Sequence, residues 1–393
     1  LAPCAGAVRL DQAPGHIVLE AASSAAAAAP RVAEEDAGRH PQTGEGCVRC
    51  HQLLRLGAWQ FFEDAHTGRL PPPDVRPRAV IVSTVRLEPF LVRGDALLKD
   101  HLATFARGLQ HVQSLLEYQP IYLVMPEVDT PLAMAVRDMA RGLAWLKVVG
   151  IRLKYPHDHP AVIERGLGLM KKDGEPVWAI QTDGVLAVER ALGHGMPVFR
   201  RTLALGGPAA DRPRHVELPV GYPLERLVKP APGAGPVRVV CGGALTGEAA
   251  SDKCRGVCAE CAGLTFLPEP TGREFLGFLR PGWNRPSFSR CFTSALHRGP
   301  RRPLTTATYG EPRACVACGL CEQVCPAGIL PHVIHKALYA RSLDDAERLR
   351  VDLCVRCGLC ALVCPSKIEL LSQFIEAQDA LRAEHAEAGE AAP

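Results

Sequence analysis

The sequence lacks the features that direct a chain into a membrane or onto a nucleic acid. Its 393 residues hold no apolar stretch as long as a membrane span and no signal peptide. The net charge is only +3, from 45 basic and 42 acidic residues, so charge provides no attraction to nucleic acid or membrane surfaces. We therefore expect a soluble chain in a reducing compartment. Because the sequence starts at Leu1 rather than Met, we expect its natural N-terminus to lie further upstream.

Cysteine, by contrast, is abundant, and half of the 16 cysteines fall in two copies of one pattern. The copies read Cys315-Val-Ala-Cys318-Gly-Leu-Cys321-Glu-Gln-Val-Cys325-Pro326 and Cys354-Val-Arg-Cys357-Gly-Leu-Cys360-Ala-Leu-Val-Cys364-Pro365. Each has the spacing C-x2-C-x2-C-x3-C-P, which bacterial ferredoxins use to hold two [4Fe–4S] clusters. Three cysteines of a run bind one cluster and the fourth binds the other. The C-terminal quarter is therefore predicted to transfer single electrons.

The spacing of these cysteines has a physical reason. A cubane cluster needs four thiolates that converge on its corners, and soft sulfur suits iron in a low-dielectric pocket. Gly319 and Gly358 relax the backbone so that three sulfurs surround one face, and the three-residue gap with its proline turns the fourth sulfur away. The predicted ligands are Cys315, Cys318, Cys321 and Cys364 for cluster I, and Cys354, Cys357, Cys360 and Cys325 for cluster II.

Zinc and disulfides are the alternatives for these cysteines. Paired C-x2-C motifs also build zinc ribbons, but a ribbon has no use for the third and fourth cysteines of each run or for the proline. A disulfide framework of this density is typical of short secreted chains. We therefore favour iron–sulfur clusters over both.

The middle of the chain, residues 77–230, alternates between strand and helix patterns. Strands are predicted at 79–83, 121–125, 147–151, 177–180 and 198–205, and helices at 95–118, 131–145 and 184–193. Strands that alternate with helices of this length indicate an α/β core with a three-layer, mainly parallel sheet.

The flanking segments have different patterns. Residues 1–22 read as two short strands of a partial, barrel-sandwich-like β module, and residues 23–76 as a linker with a helical lead-in at 52–63. Short strands and turns over 233–300 predict a small β-grasp (SLBB-like) domain. Helical patterns around the cysteine runs predict an α-helical dicluster ferredoxin domain over 303–393.

Several segments resemble a known family. They are Ala79-Val-Ile-Val-Ser-Thr-Val-Arg-Leu-Glu-Pro89, Ile180-Gln-Thr-Asp-Gly-Val-Leu-Ala-Val-Glu-Arg190, Thr202-Leu-Ala-Leu-Gly-Gly-Pro208, Val239-Val-Cys-Gly-Gly-Ala-Leu-Thr-Gly247 and Gly272-Arg-Glu-Phe-Leu-Gly-Phe-Leu-Arg-Pro-Gly282. They are similar to the A-type component of the Na+-translocating NADH:quinone reductase (Nqr) and to its relative, the C-type component of Rnf complexes. The Rnf component carries dicluster cysteines too, so the chain looks like an Nqr-type body with an Rnf-type tail.

The resemblance implies a role and a location. It implies an electron-relay subunit of an Nqr- or Rnf-type oxidoreductase, peripheral on the cytoplasmic face of the cell membrane. Membrane subunits would be its partners, ferredoxin or a flavoprotein of the complex its electron donor or acceptor, and quinone a candidate ligand. The flavin- and NADH-binding relatives have a glycine-rich loop before the first core strand, whereas residues 54–68 hold only two glycines here. We therefore expect no FMN or NADH on this chain.

Four further motifs have weaker readings. Cys47-Val-Arg-Cys50-His51 matches the c-type haem attachment signature, although a redox pair or a chance match is favoured because haem attachment occurs outside the cytoplasm. Cys254, Cys258 and Cys261 have a spacing that could hold a third metal site, completed by Cys241 or Cys291, with free thiols as the favoured reading. The pairs His157/His159 and His332/His335 are incomplete as metal sites, so capping or solvated roles are preferred.

Two rival functions stay open from sequence alone. One is a free-standing soluble iron–sulfur oxidoreductase with an active site at Cys254, Cys258 and Cys261. The other is a structural scaffold that uses clusters only for stability. Iron content separates the relay from the first rival, at about eight against about twelve atoms per chain.

Overall fold

The computed structural model describes residues 6–10, 17–21, 45–116, 119–170, 175–233, 235–250, 256–258, 261–269, 304–306 and 312–390. The chain divides into two compact units. The first unit comprises Leu1–Leu205, Arg214–Val228 and Ala250–Leu264, and the second comprises Gly206–Pro213, Lys229–Ala249 and Thr265–Pro393.

Strands dominate the first two thirds of the described chain and helices dominate the rest. The strands are β1 (Gly6–Leu10), β2 (Ile17–Ala21), β3 (Phe62–Asp64), β4 (Ala79–Ser83), β5 (Ile121–Pro126), β6 (Leu146–Ile151), β7 (Val177–Gln181), β8 (Arg200–Gly206), β9 (Arg214–Pro219), β10 (Val237–Cys241), β11 (Glu248–Ala249) and β12 (Gly263–Pro268). The helices are α1 (Glu45–Arg55), α2 (Gly94–Gln113), α3 (Pro131–Ala140), α4 (Pro160–Gly166), α5 (Thr182–Val188), α6 (Leu320–Gln323), α7 (Pro331–Tyr339), α8 (Leu343–Arg348), α9 (Leu359–Val363) and α10 (Leu370–Glu390).

The first unit is built on a five-stranded sheet in the order β3–β7–β4–β5–β6. Strands β7, β4, β5 and β6 run parallel, and only β3 is antiparallel to its neighbour. Parallel strands need covered faces, and every residue of β4 is buried. The predicted mixed α/β class with a mainly parallel sheet is therefore confirmed, while the three-layer arrangement stays a prediction.

Two apolar clusters lie along β4, because successive side chains of a strand point to opposite faces. Val80 and Val82 belong to one cluster, and Ala79 and Ile81 to another. The larger cluster also holds Trp178, which packs edge-on to Trp59 with ring centroids 5.1 Å apart. Burial of aliphatic and aromatic side chains on both faces fixes the register of the central strand.

Local signals explain where individual elements begin and end. Helix α3 starts at Pro131, and the side chain of Thr130 accepts a hydrogen bond from the N–H of Ala133 at 3.1 Å. Helix α1 stops at Arg55, just before Gly57 takes a left-handed φ of 77°. The helix predicted over 52–63 is therefore shorter, and its C-terminal part forms the edge strand β3.

The strand predicted at 198–205 is displaced and leaves the parallel sheet. It appears as β8, which pairs antiparallel with β9. The predicted strands at the N-terminus are present as the antiparallel pair β1 and β2. In the second unit β10 and β11 also pair antiparallel. The β-grasp assignment stays a prediction, because residues 270–300 lie outside the described ones. Within the described residues, no helix combines the length and apolar character needed to cross a bilayer.

Candidate iron–sulfur centre

The two cysteine runs adopt the same backbone path. Gly319 and Gly358 follow the second cysteine of each run and have left-handed φ values of 73° and 74°. Ala317 and Arg356, which precede that cysteine, are also left-handed, with φ values of 51° and 53°. A left-handed residue other than glycine costs about 1–2 kcal/mol, so its presence at both equivalent positions indicates a geometry that the surroundings impose. Alternation of right- and left-handed residues turns consecutive N–H groups toward one point, as in many iron–sulfur sites.

Each run ends with the same turn into a helix. The N–H of Cys325 donates to the carbonyl of Glu322 at 3.1 Å, and the N–H of Cys364 donates to the carbonyl of Ala361 at 3.3 Å. The prolines after both cysteines cannot donate to a preceding turn, and α7 and α10 begin a few residues later. The fourth cysteine of each run therefore leaves the path of the first three.

One cavity of the second unit gathers cysteines from both runs. Its wall contains Cys315, Cys318 and Cys321 of the first run and Cys364 of the second. The rest of the wall is mostly apolar, as a water-poor cluster pocket requires. Its other members include Val316, Pro365, Ile368 and Leu370. This grouping matches the ligands predicted for cluster I, and the ligand assignment itself stays a prediction.

The remaining four cysteines influence one another electrostatically. Burial raises the pKa of Cys354 to about 11 and that of Cys360 to about 12. Burial also raises the pKa of Cys357. In all three cases a charge on Cys325 raises the pKa further. Cys325 of the first run is therefore close to the first three cysteines of the second run, which are the predicted ligands of cluster II.

The protonation of these thiols bears on metal binding. Burial raises the pKa of Cys321 as well, and charges on Cys318 and Cys315 add to the effect. A ligating cysteine must be a thiolate, so metal binding to this set would release protons.

A hydrogen-bonded bridge ties the two runs together around Ser366. This residue is 3% exposed and follows Pro365. Its hydroxyl donates to the carbonyl of Ala314 at 3.0 Å, and its own carbonyl accepts from the N–H of Arg313 at 2.9 Å. These bonds hold the end of the second run against the entry to the first, which explains why Cys364 reaches the first cavity.

Helix α10 holds the loop of the second run through Gln378. The side-chain N–H2 of Gln378 donates to the carbonyls of Val351 at 2.9 Å and Cys354 at 3.0 Å, with a longer contact to Asp352 at 3.3 Å. Its side-chain oxygen accepts from Nε of Arg356 at 2.7 Å. Gln378 is only 8% exposed, so these bonds lie in a shielded setting.

Two histidines of α7 line the cavity beside Cys315 and Cys364. Nδ1 of His335 lies 2.7 Å from Oε1 of Gln373, and Nδ1 of His332 lies 3.9 Å from a carboxylate oxygen of Glu322. The sequence analysis preferred capping or solvated roles for this pair and missed its place in the cavity wall. The signal available was their three-residue spacing directly after the Cys-Pro turn.

The donor set fits a polynuclear cluster. Four thiols of the described chain surround a cavity, whereas no three His, Cys, Asp or Glu side chains there converge closely enough to hold a single metal ion. A tetrahedral zinc site would need such convergence, with Zn–S distances of about 2.3 Å. The residues present could therefore hold [4Fe–4S] clusters.

The other sequence candidates fall at separate places. Cys50 is 3% exposed and packs in the core of the first unit, a position that leaves no room for a haem thioether. His159 caps α4 by accepting from the N–H of Ala161 at 3.3 Å, and burial lowers its pKa to about 4. Cys254 and Cys291 lie outside the described residues, so a third metal site stays a prediction.

Comparison with known families matches the two parts of the chain separately. Residues 48–196 match the family model described as the NqrA second alpha/beta domain. Residues 307–379 match the model described as a 4Fe-4S dicluster domain. The first match covers the parallel sheet, and the second covers both cysteine runs.

Curated relatives have the same name, NqrA of the Na(+)-translocating NADH-quinone reductase, in several organisms. The protein of Shewanella denitrificans is 28% identical over 323 residues, which cover 80% of this chain and 68% of the relative. The Alcanivorax borkumensis protein is 30% identical over 302 residues, covering 76% of this chain and 64% of the relative. The chain thus spans about two thirds of these relatives' length.

Among solved structures, a chain of an NAD+-reducing [NiFe]-hydrogenase in the H2-reduced state aligns with a TM-score of 0.48 at 12% identity, covering 90% of this chain and 68% of that one. A similarity at this level carries no functional argument. The sequence relatives and the domain matches do carry one, and they agree with each other. The chain is a homologue of NqrA of the Na+-translocating NADH-quinone reductases, with a 4Fe-4S dicluster domain at residues 307–379.

Proposed function

We propose that the chain is the iron–sulfur electron-transfer subunit of a membrane-associated, ion-translocating NADH:quinone (Nqr-type) or NADH:ferredoxin (Rnf-type) oxidoreductase. The observation that carries the proposal is the cavity that Cys315, Cys318 and Cys321 share with Cys364. The relatives named as reductase subunits support the Nqr-type assignment. The Rnf alternative rests on the C-terminal position of the cysteine runs.

In this proposal the chain binds two clusters with crossed ligand sets. A bound [4Fe–4S] cluster accepts and releases one electron at a time. Thiolates of both runs hold the clusters, and the apolar wall formed by Pro365, Ile368 and Leu370 excludes water. N–H groups of the left-handed turns at Gly319 and Gly358 supply N–H···S bonds that tune the reduction potentials.

The proposed partners follow from what is exposed around the cavity. Val316 is 65% exposed, and Cys318 is exposed beside it. An apolar side chain at the surface next to a ligand cysteine offers a short path for an electron from a docked ferredoxin or flavoprotein. The α/β body of residues 77–230 would dock on membrane subunits at the cytoplasmic face. Quinone contact is proposed from the relatives' name alone.

Exchange of the two crossed ligands provides the test. The chain should be purified anaerobically as wild type, Cys364→Ala and Cys325→Ala, and its thiols mapped by alkylation and mass spectrometry. Crossed binding predicts that Cys364→Ala exposes Cys315, Cys318 and Cys321 to alkylation while the second set stays protected. Cys325→Ala should give the reverse pattern, and each variant should keep about half of the iron.

The opposite pairing would contradict the crossed ligand sets. If Cys364→Ala exposed Cys354, Cys357 and Cys360 instead, each run would hold its own cluster. If all eight thiols of the wild type reacted freely, the electron-relay function would fail with the ligand assignment.

A further inference from the structure

Cys258 and Cys261 of the first unit form a C-x-x-C pair that the iron–sulfur function does not use. The N–H of Cys261 donates to the carbonyl of Cys258 at 3.2 Å, which closes a four-residue turn. Such a turn holds its first and last Cα atoms within about 7 Å. Disulfides join residues whose Cα atoms are about 4.4–6.8 Å apart. The backbone therefore already lies close to the geometry that a bond between the two sulfurs needs.

The two thiols differ in their access to solvent. Cys258 is exposed, whereas Cys261 is 5% exposed and its Sγ lies 3.3 Å from the carbonyl oxygen of Gly263. An accessible sulfur can attack an external partner, and a shielded one next to it can then displace that partner. Exposure thus assigns the attacking role to Cys258 and the resolving role to Cys261.

A buried cation lies beside both sulfurs. Arg201 is 7% exposed, and its guanidinium lies over the ring of Phe61, 3.8 Å from the centroid. Within the described part of the chain its Nη1 is buried with no hydrogen-bond partner. Arg201 interacts electrostatically with Cys258 and Cys261, and also with Asp183 and Arg86. A nearby guanidinium stabilises a thiolate, which is the reactive form of cysteine.

We propose that Cys258 and Cys261 are a reversible dithiol–disulfide pair that exchanges with small disulfides. The Cys258 thiolate attacks one sulfur of the external disulfide, forms a mixed disulfide and releases one thiol. The sulfur of Cys261 loses its proton, attacks Cys258 Sγ and displaces the second thiol. The pair loses two electrons and two protons, and the external disulfide is reduced to two thiols.

The pair would make the first unit responsive to the thiol–disulfide state of its compartment. The proposal does not rest on the iron–sulfur function, because all its residues lie in the first unit and the cluster cysteines lie in the second. The rival is the third metal site considered from sequence, with Cys254 as an additional ligand. The turn geometry and the buried guanidinium favour exchange, since a cation next to two thiolates disfavours a bound metal ion.

The test uses the full chain in mixtures of reduced and oxidised glutathione under anaerobic conditions. After acid quenching and alkylation, trypsin cleavage following Arg255 and Arg273 releases a peptide whose only cysteines are Cys258 and Cys261. We expect this peptide to convert from a doubly alkylated form to one with an internal disulfide, and to return with excess reduced glutathione. Visible absorbance of the clusters, followed in the same samples, reports the second unit separately.

Variants separate the roles of the three residues. Cys261→Ser should stop at a glutathione adduct on Cys258. Arg201→Met should slow alkylation of Cys258 at neutral pH about tenfold, the effect of one unit in thiol pKa, and Arg201→Lys should retain most of the rate. If Arg201→Met fails to fold, the wild-type titration still decides.

Two results would overturn the proposal. One is alkylation of both sulfurs at every glutathione ratio, which would mean that no disulfide forms. The other is protection of both sulfurs that a chelator, but not a reductant, removes, which would assign them to a metal site.

Discussion

At the scale of single residues, Gly319 and Gly358 show how one sequence repeat meets two environments. Both glycines have nearly the same left-handed φ, at 73° and 74°. A Cβ on Gly319 would have no heavy atom within 4 Å, whereas a Cβ on Gly358 would lie 2.7 Å from the carbonyl oxygen of Leu245. The two positions thus have the same need for a left-handed residue but different room for a side chain.

Alanine at these glycines should therefore cost different amounts. Gly319→Ala should destabilise the second unit by about 1–2 kcal/mol, the cost of a left-handed alanine. Gly358→Ala should add a backbone clash and reach about 2–4 kcal/mol. The measurement is the urea concentration at which cluster absorbance is half lost. Equal midpoints for the two variants would show that the contact with Leu245 is not maintained in solution.

The ligand residues could be proposed from sequence because their spacing is local. Cysteine type, gap length and the proline together specify a cluster-binding run, without knowledge of the fold. The residues that support the site could not be found in this way. Ser366 contacts Ala314, and Gln378 contacts Cys354, through hydrogen bonds between positions that no spacing rule connects.

At the scale of elements, α10 is the support of the second cysteine run. The equivalent helix of the first run, α7, directs histidines to its cavity instead, so the two clusters would have different surroundings. Arg356 and Gln378 occur only on the side of the second run. Substitution on α10 should therefore affect one cluster and spare the other.

Gln378→Leu should weaken cluster II selectively. The variant leaves the carbonyls of Val351 and Cys354 without their side-chain donor, and each buried group without a partner costs about 1–3 kcal/mol. Iron of cluster II should then be lost to a chelator at least about tenfold faster, as followed by alkylation of the released cysteines. Glu376→Leu, at an exposed position of the same helix, is the matched control. Equal acceleration in both variants would mean that Gln378 has no special supporting role.

Element prediction succeeded where periodicity was strong. The buried strands β4, β5, β6 and β7 were predicted within one residue at each end, because runs of β-branched residues lack competing readings. The segment 52–63 was less accurate, since helical apolar spacing continues past Arg55 while Gly57 ends the helix. The pairing of β8 with β9 is a long-range choice that local patterns do not encode.

At the scale of the whole molecule, two units carry two kinds of chemistry. The first unit matches the NqrA second alpha/beta domain and contains the proposed dithiol pair. The second unit contains both cysteine runs and matches a dicluster domain. Resemblance to a known family was needed to propose an oxidoreductase complex, because composition and charge indicate no partner.

The central claim is that two [4Fe–4S] clusters occupy the second unit. Iron, zinc and acid-labile sulfide should be measured per chain on wild-type protein purified without oxygen. The account predicts about eight iron atoms and about eight sulfides, with zinc absent. Zinc in place of iron, or protein that lacks both iron and sulfide, would contradict it.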